Sequence, residues 1–120
     1  MKPLVHARNS VKRFGGSIPD YLPIHNWLDS TKASTAEFYH RAILHNTFGC
    51  FLAEQVFGIS IINSDGKEIS VRDIAETHIQ EDCCGKIPSI DDWMKSIKPE
   101  HWMIGKGQRT FVESIGMGEV

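Results

Sequence analysis

Apolar residues fall at helical spacing from the start of the chain. Leu4, Ala7, Val11 and Phe14 make one face, and Gly15–Gly16 closes the segment. A second helix is predicted from Asp20, a capping residue, with Pro23 in its first turn and Tyr21, Ile24, Trp27 and Leu28 on its apolar side. Ser34-Thr-Ala-Glu37 matches a capping box and opens the longest predicted helix, which runs to Gly58 and is apolar almost all round. The period then changes. Ile59–Ile62 and Glu68–Val71 flank Asp65-Gly66, the pattern of a β-hairpin. A helix follows through about Cys84, ended by Gly85, and Pro88–Ser89 introduces another with Ile90, Trp93, Met94 and Ile97 inward. Pro99 stops it, and Trp102–Met103 is expected to pack as a final hydrophobic plug. From Ile104 onward the chain is glycine-rich and aperiodic, which predicts a flexible tail over residues 104–120. The expected fold is mainly α: one compact helical domain of about five helices, residues 1–103, with a small inserted hairpin.

Two of these stripes carry polar groups where apolar ones belong. The long helix reads Phe38, Ala42, His45, Gly49, Leu52, Val56, and the later one Val71, Ile74, Ala75, His78, Ile79, Asp82. Polar groups on a buried stripe must be paired, hydrogen-bonded or bound to something. On one continuous helix His40 and His45 would point about 140° apart, His40 sharing the polar side with Thr47 and Glu54. Glu37 and Arg41 have the spacing of a surface ion pair. His78 and Asp82 lie one turn apart on a single face, and packing the stripes together brings His45 to them. Two imidazoles and a carboxylate suit a divalent ion such as zinc or iron, with a further position open. His25 and Asp29 repeat the four-residue spacing beside Trp27 and are placed to close over the same centre. Glu76 and Glu81 border it. Glu54 and Glu81 are the candidate general bases. His6 and His101 read as ordinary. The same groups also fit a structural hydrogen-bond network without metal, and both readings stand open.

Composition narrows the classes. The chain has 120 residues, suited to one domain, and a net charge of −2 with scattered basic residues, so no basic face for nucleic acid is expected. No stretch approaches a membrane span, and the N-terminus lacks the apolar region of a signal peptide. Cys50, Cys83 and Cys84 form no CxxC, and reduced thiols in a cytoplasm are the expected state. There is no HExxH, GxSxG or P-loop, and Glu37-x-x-His40 is half of a di-iron motif without its partner.

The chain resembles a family of small uncharacterised bacterial and phage proteins, a domain of unknown function. The likeness lies in His6-Ala-Arg-Asn-Ser-Val-Lys-Arg-Phe-Gly15, Asp20-Tyr-Leu-Pro-Ile-His-Asn-Trp27, Phe38-Tyr-His-Arg-Ala-Ile-Leu-His45, Ala53-Glu-Gln-Val-Phe-Gly58 and Ala75-Glu-Thr-His-Ile-Gln-Glu-Asp82, then Ile87-Pro-Ser and Asp92-Trp. It covers about residues 4–103 and implies a self-contained domain without an assigned activity. A fainter resemblance, in His40-Arg-Ala-Ile-Leu-His45 and His78…Asp82, is to helical metal-dependent phosphohydrolases, but their adjacent His-Asp dipeptide is absent.

Two functions follow. One is hydrolysis of a small molecule by water on a divalent ion at His45, His78 and Asp82. The other is a non-catalytic module that docks on a protein partner through exposed groups near Trp93, His101 and Trp102, or through the tail. A homodimer burying Phe51 and Phe57 is a third expectation.

Overall fold

Proline in the first turn and glycine past the last define helix α1 (Pro3–Phe14), which ends at Gly15 with φ 82°. It belongs to a computed structural model that describes residues 1–105. The face α1 turns inward is His6, Ala7 and Ser10, all buried, while Leu4 is exposed. The expected stripe is thus displaced, with Val11 and Phe14 packed at its edge. Two polar side chains take the interior position because partners await them there.

Helix α2 (Ile18–Leu28) starts before Asp20. Ser17 is its cap, and Asp20 at the third position accepts the Ser17 N–H at 2.7 Å. The same Asp20 oxygen accepts the Ser64 N–H at 3.0 Å and the Ser64 hydroxyl at 2.8 Å, tying the helix to the hairpin turn. Tyr21, Ile24, His25 and Leu28 are its buried side.

The single long helix expected from Ser34 to Gly58 is instead broken. Two 3₁₀ turns (Ser30–Ala33 and Glu37–His40) lead into a one-turn helix α3 (Arg41–Leu44), and α4 (Thr47–Phe57) begins after a corner at His45–Asn46. The capping-box reading fails because Glu37 sits at φ 57°, outside the right-handed helical region. Asn46 makes the corner. Its Nδ2 donates to the Ala42 and Ile43 carbonyls, ending α3, and its Oδ1 accepts the Gly49 N–H at 2.7 Å, starting α4. Gly49 is required, since a Cβ there would lie 1.8 Å from the Leu44 carbonyl oxygen.

Strands β1 (Ser60–Ile62) and β2 (Glu68–Ser70) pair antiparallel, Ile61 opposite Ile69, around Gly66 at φ 81°. Buried Asn63 holds the turn, accepting from Asp65 and Lys67 and donating to the Phe14 carbonyl and Tyr21 hydroxyl. Helix α5 (Val71–Asp82) follows directly, capped by Ser70. It buries Val71, Ile74, Ala75, His78 and Ile79 against α2 and α4.

Past α5 the packing thins. Ser89 caps α6 (Ile90–Met94), and the Trp93 indole donates to the His45 carbonyl at 3.0 Å. Met94 and Ile97, expected inward, are about half exposed, and α6 stops well before Pro99. Trp102 on α7 (His101–Ile104) is 74% exposed, so the expected plug does not form. Its indole bonds Glu100 rather than the core. Phe57 packs edge-on to Trp27, whereas Phe51 stays exposed beside Phe48. Cys50, Cys83 and Cys84 are free thiols. No helix among the described residues is long and apolar enough to cross a membrane. Residues 106–120, most of the expected tail, lie outside the described residues.

Candidate metal centre

Four parts of the chain deliver polar side chains to one buried point. His6 comes from α1, His25 from α2 with Asp29 just past its end, His45 from the α3–α4 corner, and His78 with Asp82 from one face of α5. All four histidines have no exposed surface, and Asp29 is 5% exposed. The corner matters most for His45. Leaving the helix at φ −83°, ψ 63° frees its ring to face α5.

The carboxylates gather the imidazoles. His45 Nε2 lies 2.9 Å from Asp82 Oδ2 and 3.5 Å from Asp29 Oδ1. His78 Nε2 lies 3.2 Å from Asp29 Oδ1 and 3.4 Å from Asp82 Oδ2. His6 Nε2 lies 3.2 Å from both Asp82 oxygens, and its ring stacks on His78 at 3.7 Å. The Met1 amine is 3.0 Å from Asp82 Oδ1. On their far sides the rings are also engaged. His6 Nδ1 meets Glu81 Oε1 at 2.6 Å, and His78 Nδ1 meets His25 Nδ1 at 2.8 Å. His25 Nε2 in turn meets the Ser10 hydroxyl at 2.7 Å. Two buried atoms of the cluster, Asp29 Oδ2 and His45 Nδ1, have no hydrogen-bond partner.

Electrostatics divides the rings. Burial, then the neighbouring His78 and His6, pushes His25 down to about 3. Burial pushes His78 down to about 4 despite its bond to Asp29. Burial also opposes the charged form of His6, but the Asp82 and Glu81 carboxylates outweigh it and raise its pKa. Burial works against the Asp82 carboxylate too, yet hydrogen bonds from His45 and His6 hold its pKa far below the ordinary range.

Donors around one transition ion at about 2.0–2.1 Å stand roughly 2.9–3.4 Å from their neighbours. The contacts from His45 and His78 to the two aspartates span 2.9–3.5 Å. His6, Asp29, His78 and Asp82 each bring a donor atom within 4.8 Å of the others, a spacing able to hold a metal ion. Two buried carboxylates side by side repel. The Met1 amine 3.0 Å from Asp82 and Lys32 3.8 Å from Asp29 offset this in part. A divalent cation between them would offset it further. Imidazole donors favour zinc, iron or their neighbours over magnesium and calcium.

The structure therefore brings His25, His45, His78 and Asp82 together. His25 stands behind His78 rather than beside the carboxylates. Glu81 reaches the cluster through His6. Glu54 pairs with the Arg72 guanidinium at its Nε, 3.0 Å away, on the surface. The expected Glu37–Arg41 ion pair is replaced by an Arg41 bond to the Asp82 carbonyl. His40 is buried, not on a polar side, and its ring meets His45 edge-on at 5.8 Å. The break in the helix removes the angle that would have separated them. His6, read as ordinary, and Asp29 complete the cluster. The signal for His6 was its four-residue spacing to Ser10 on a helix whose other residues are mostly charged or apolar.

The chain belongs to a family described as a domain of unknown function (DUF6915), matched over residues 1–103. Neither a curated protein nor a solved structure matches it.

Proposed function

We propose that this family member is a divalent-metal protein. One zinc or iron ion would be held by His6, His78, Asp29 and Asp82, whose donor atoms lie within 4.8 Å of one another. His45 would join through the carboxylates at 2.9–3.5 Å, and the ion would serve hydrolysis of a small substrate. The observation that carries the reading is the approach of the His45 and His78 Nε2 atoms to two adjacent buried carboxylates at 2.9–3.5 Å. Such an ion would supply Lewis acidity that lowers the pKa of a bound water toward neutrality, making a nucleophile available. Asp29 Oδ2 is buried without a hydrogen bond, 3.8 Å from the Lys32 ammonium, and would be the carboxylate oxygen placed to accept that water's proton. Glu54 contacts the Arg72 guanidinium and Glu81 contacts His6.

The test is elemental analysis of untagged protein purified without chelator. Near-stoichiometric zinc, iron or manganese is expected, falling at least tenfold in His78→Ala and His45→Ala. Metal-dependent turnover of a phosphomonoester or ester panel, absent in His45→Ala, would support the hydrolytic step. A protein that neither contains metal nor is stabilised by adding it would overturn the reading.

A second reading is favoured by one surface feature. Phe38, Tyr39, Ala42, Trp93, Met94 and Ile97 line an apolar groove of about 340 Å³, with exposed Trp102 elsewhere on the same C-terminal part. In that reading the protein is a non-catalytic binding module, and the histidine cluster is structural. Loss of a partner on Trp93→Ala and Trp102→Ala, without loss of fold, would favour it.

A further inference from the structure

Resting on that metal reading, we propose that His25 and Ser10 are positioning residues of the centre. With His78 they form a hydrogen-bond relay that reverses direction when an ion binds. The relay runs from the Ser10 hydroxyl to His25 Nε2 (2.7 Å), across His25 to its Nδ1, and on to His78 Nδ1 (2.8 Å). His78 Nε2 at the far end faces Asp29 and Asp82. Every member is buried.

A contact of 2.8 Å between two ring nitrogens accommodates one proton. With both rings neutral they must take opposite tautomers. In the metal-free protein the His78 proton lies on Nε2, where Asp29 and Asp82 accept it. The shared proton then belongs to His25 Nδ1, and Ser10 donates its O–H to His25 Nε2. An ion needs the Nε2 lone pair of His78. The shared proton therefore passes to His78 Nδ1, His78 releases its Nε2 proton to solvent, and His25 takes one proton from solvent at Nε2. Each ring keeps a single proton, so the exchange balances. Ser10 turns from donor to acceptor.

A hydroxyl can do both, which explains a serine rather than an alanine at this buried helical position. Metal-binding histidines are oriented by whatever holds their other nitrogen, and loss of that partner costs on the order of 10–100-fold in affinity. Ser10→Ala leaves the His25 Nε2–H of the loaded state buried without an acceptor, which costs more than an unpaired lone pair.

The experiment uses the full chain, ¹⁵N-labelled and stripped with chelator, then titrated with zinc. Long-range ¹H–¹⁵N spectra read the histidine tautomers, and chelator competition reads the affinity. Before zinc, His78 should be protonated at Nε2 and His25 at Nδ1, and both should exchange on loading. Ser10→Ala should weaken zinc at least tenfold, and His25→Leu similarly. His25→Asn, whose amide oxygen falls near the former Nδ1 and accepts from His78, should recover most of that loss. Far-UV circular dichroism checks folding, and the mild Ser10→Ala keeps the test decisive if His25→Leu fails to fold. Zinc binding with the His25 tautomer unchanged, or with Ser10→Ala as tight as the unaltered chain, overturns the relay alone. No zinc binding by the unaltered chain overturns the metal reading and the relay together.

Discussion

A buried imidazole favours the neutral or the charged form according to which groups reach its nitrogens, and this cluster contains both kinds. His25 touches His78 and a hydroxyl, with no carboxylate in contact, and burial holds it neutral down to about pH 3. His78 keeps the neutral form down to about pH 4. Both folded values lie below the ordinary 6.5, so their contribution to stability is fully present above pH 6.5 and is lost as pH falls toward 4 and then 3. His6 has the opposite sign. Its raised value adds stability below pH 6.5 that is lost as pH rises through the folded value. His40, also lowered by burial, has the same sign as His25 and His78, so the balance is a net loss in acid. The metal-free protein should therefore be less stable at pH 4.5 than at pH 7.5, by on the order of 2–3 kcal/mol for each of His25 and His78, and should melt at a lower temperature. A thermal melt across that range checks it, and His25→Asn should flatten the slope. A melting temperature independent of pH between 4.5 and 7 would contradict the neutral assignment.

One level up, the shape of the centre depends on an interruption. Asn46 satisfies the end of α3 and the start of α4 with a single amide, and Gly49 lets the second helix pass against the Leu44 carbonyl. Asn46→Ala should lose about 1–2 kcal/mol as a cap. Gly49→Ala should lose about 3 kcal/mol or more, because the clash is with backbone that no rotamer change relieves. Both should also weaken metal retention by swinging His45 away from Asp82, so thermal melts and metal content should fall together. Unchanged metal content in a folded Gly49→Ala protein would separate the corner from the site. This corner also marks where the sequence was legible. His78 and Asp82 are local, one turn apart on a helix with a clear cap at Ser70, and periodicity found them. His45 was found by its apolar stripe although the helix assumed for it is broken, because packing against α5 depends on the inward side more than on helix continuity. His6 was missed because the face of α1 was assigned by counting apolar residues. The interior took His6 and Ser10 in place of Leu4 once Glu81, Asp82 and His25 offered partners. Those partners lie fifteen to seventy-six positions away, a distance over which local pattern says nothing.

At the scale of the molecule, the cluster is the place where α1, the end of α2, the α3–α4 corner and α5 meet. Hairpin and capping contacts join α1 to α2 through Asp20, Asn63 and Asp65, on a separate side. An ion at the cluster would therefore act as a cross-link among elements distant in sequence, and binding to the folded chain alone stabilises it by mass action. At free zinc one hundred times the dissociation constant the gain is about 2.7 kcal/mol, which for a domain of this size raises the melting temperature by roughly 8–20 °C. The location of that gain is the sharper prediction. Hydrogen exchange with and without zinc should slow at α1, the C-terminal half of α2, residues 41–50 and α5. The strands β1 and β2 and helices α6 and α7 hold no member of the cluster and should change little beyond the global shift. Protection confined to α5 would mean that His78 and Asp82 bind zinc as a surface pair, with His45, His6 and Asp29 uninvolved. Protection reaching all four elements together requires the ion at their junction.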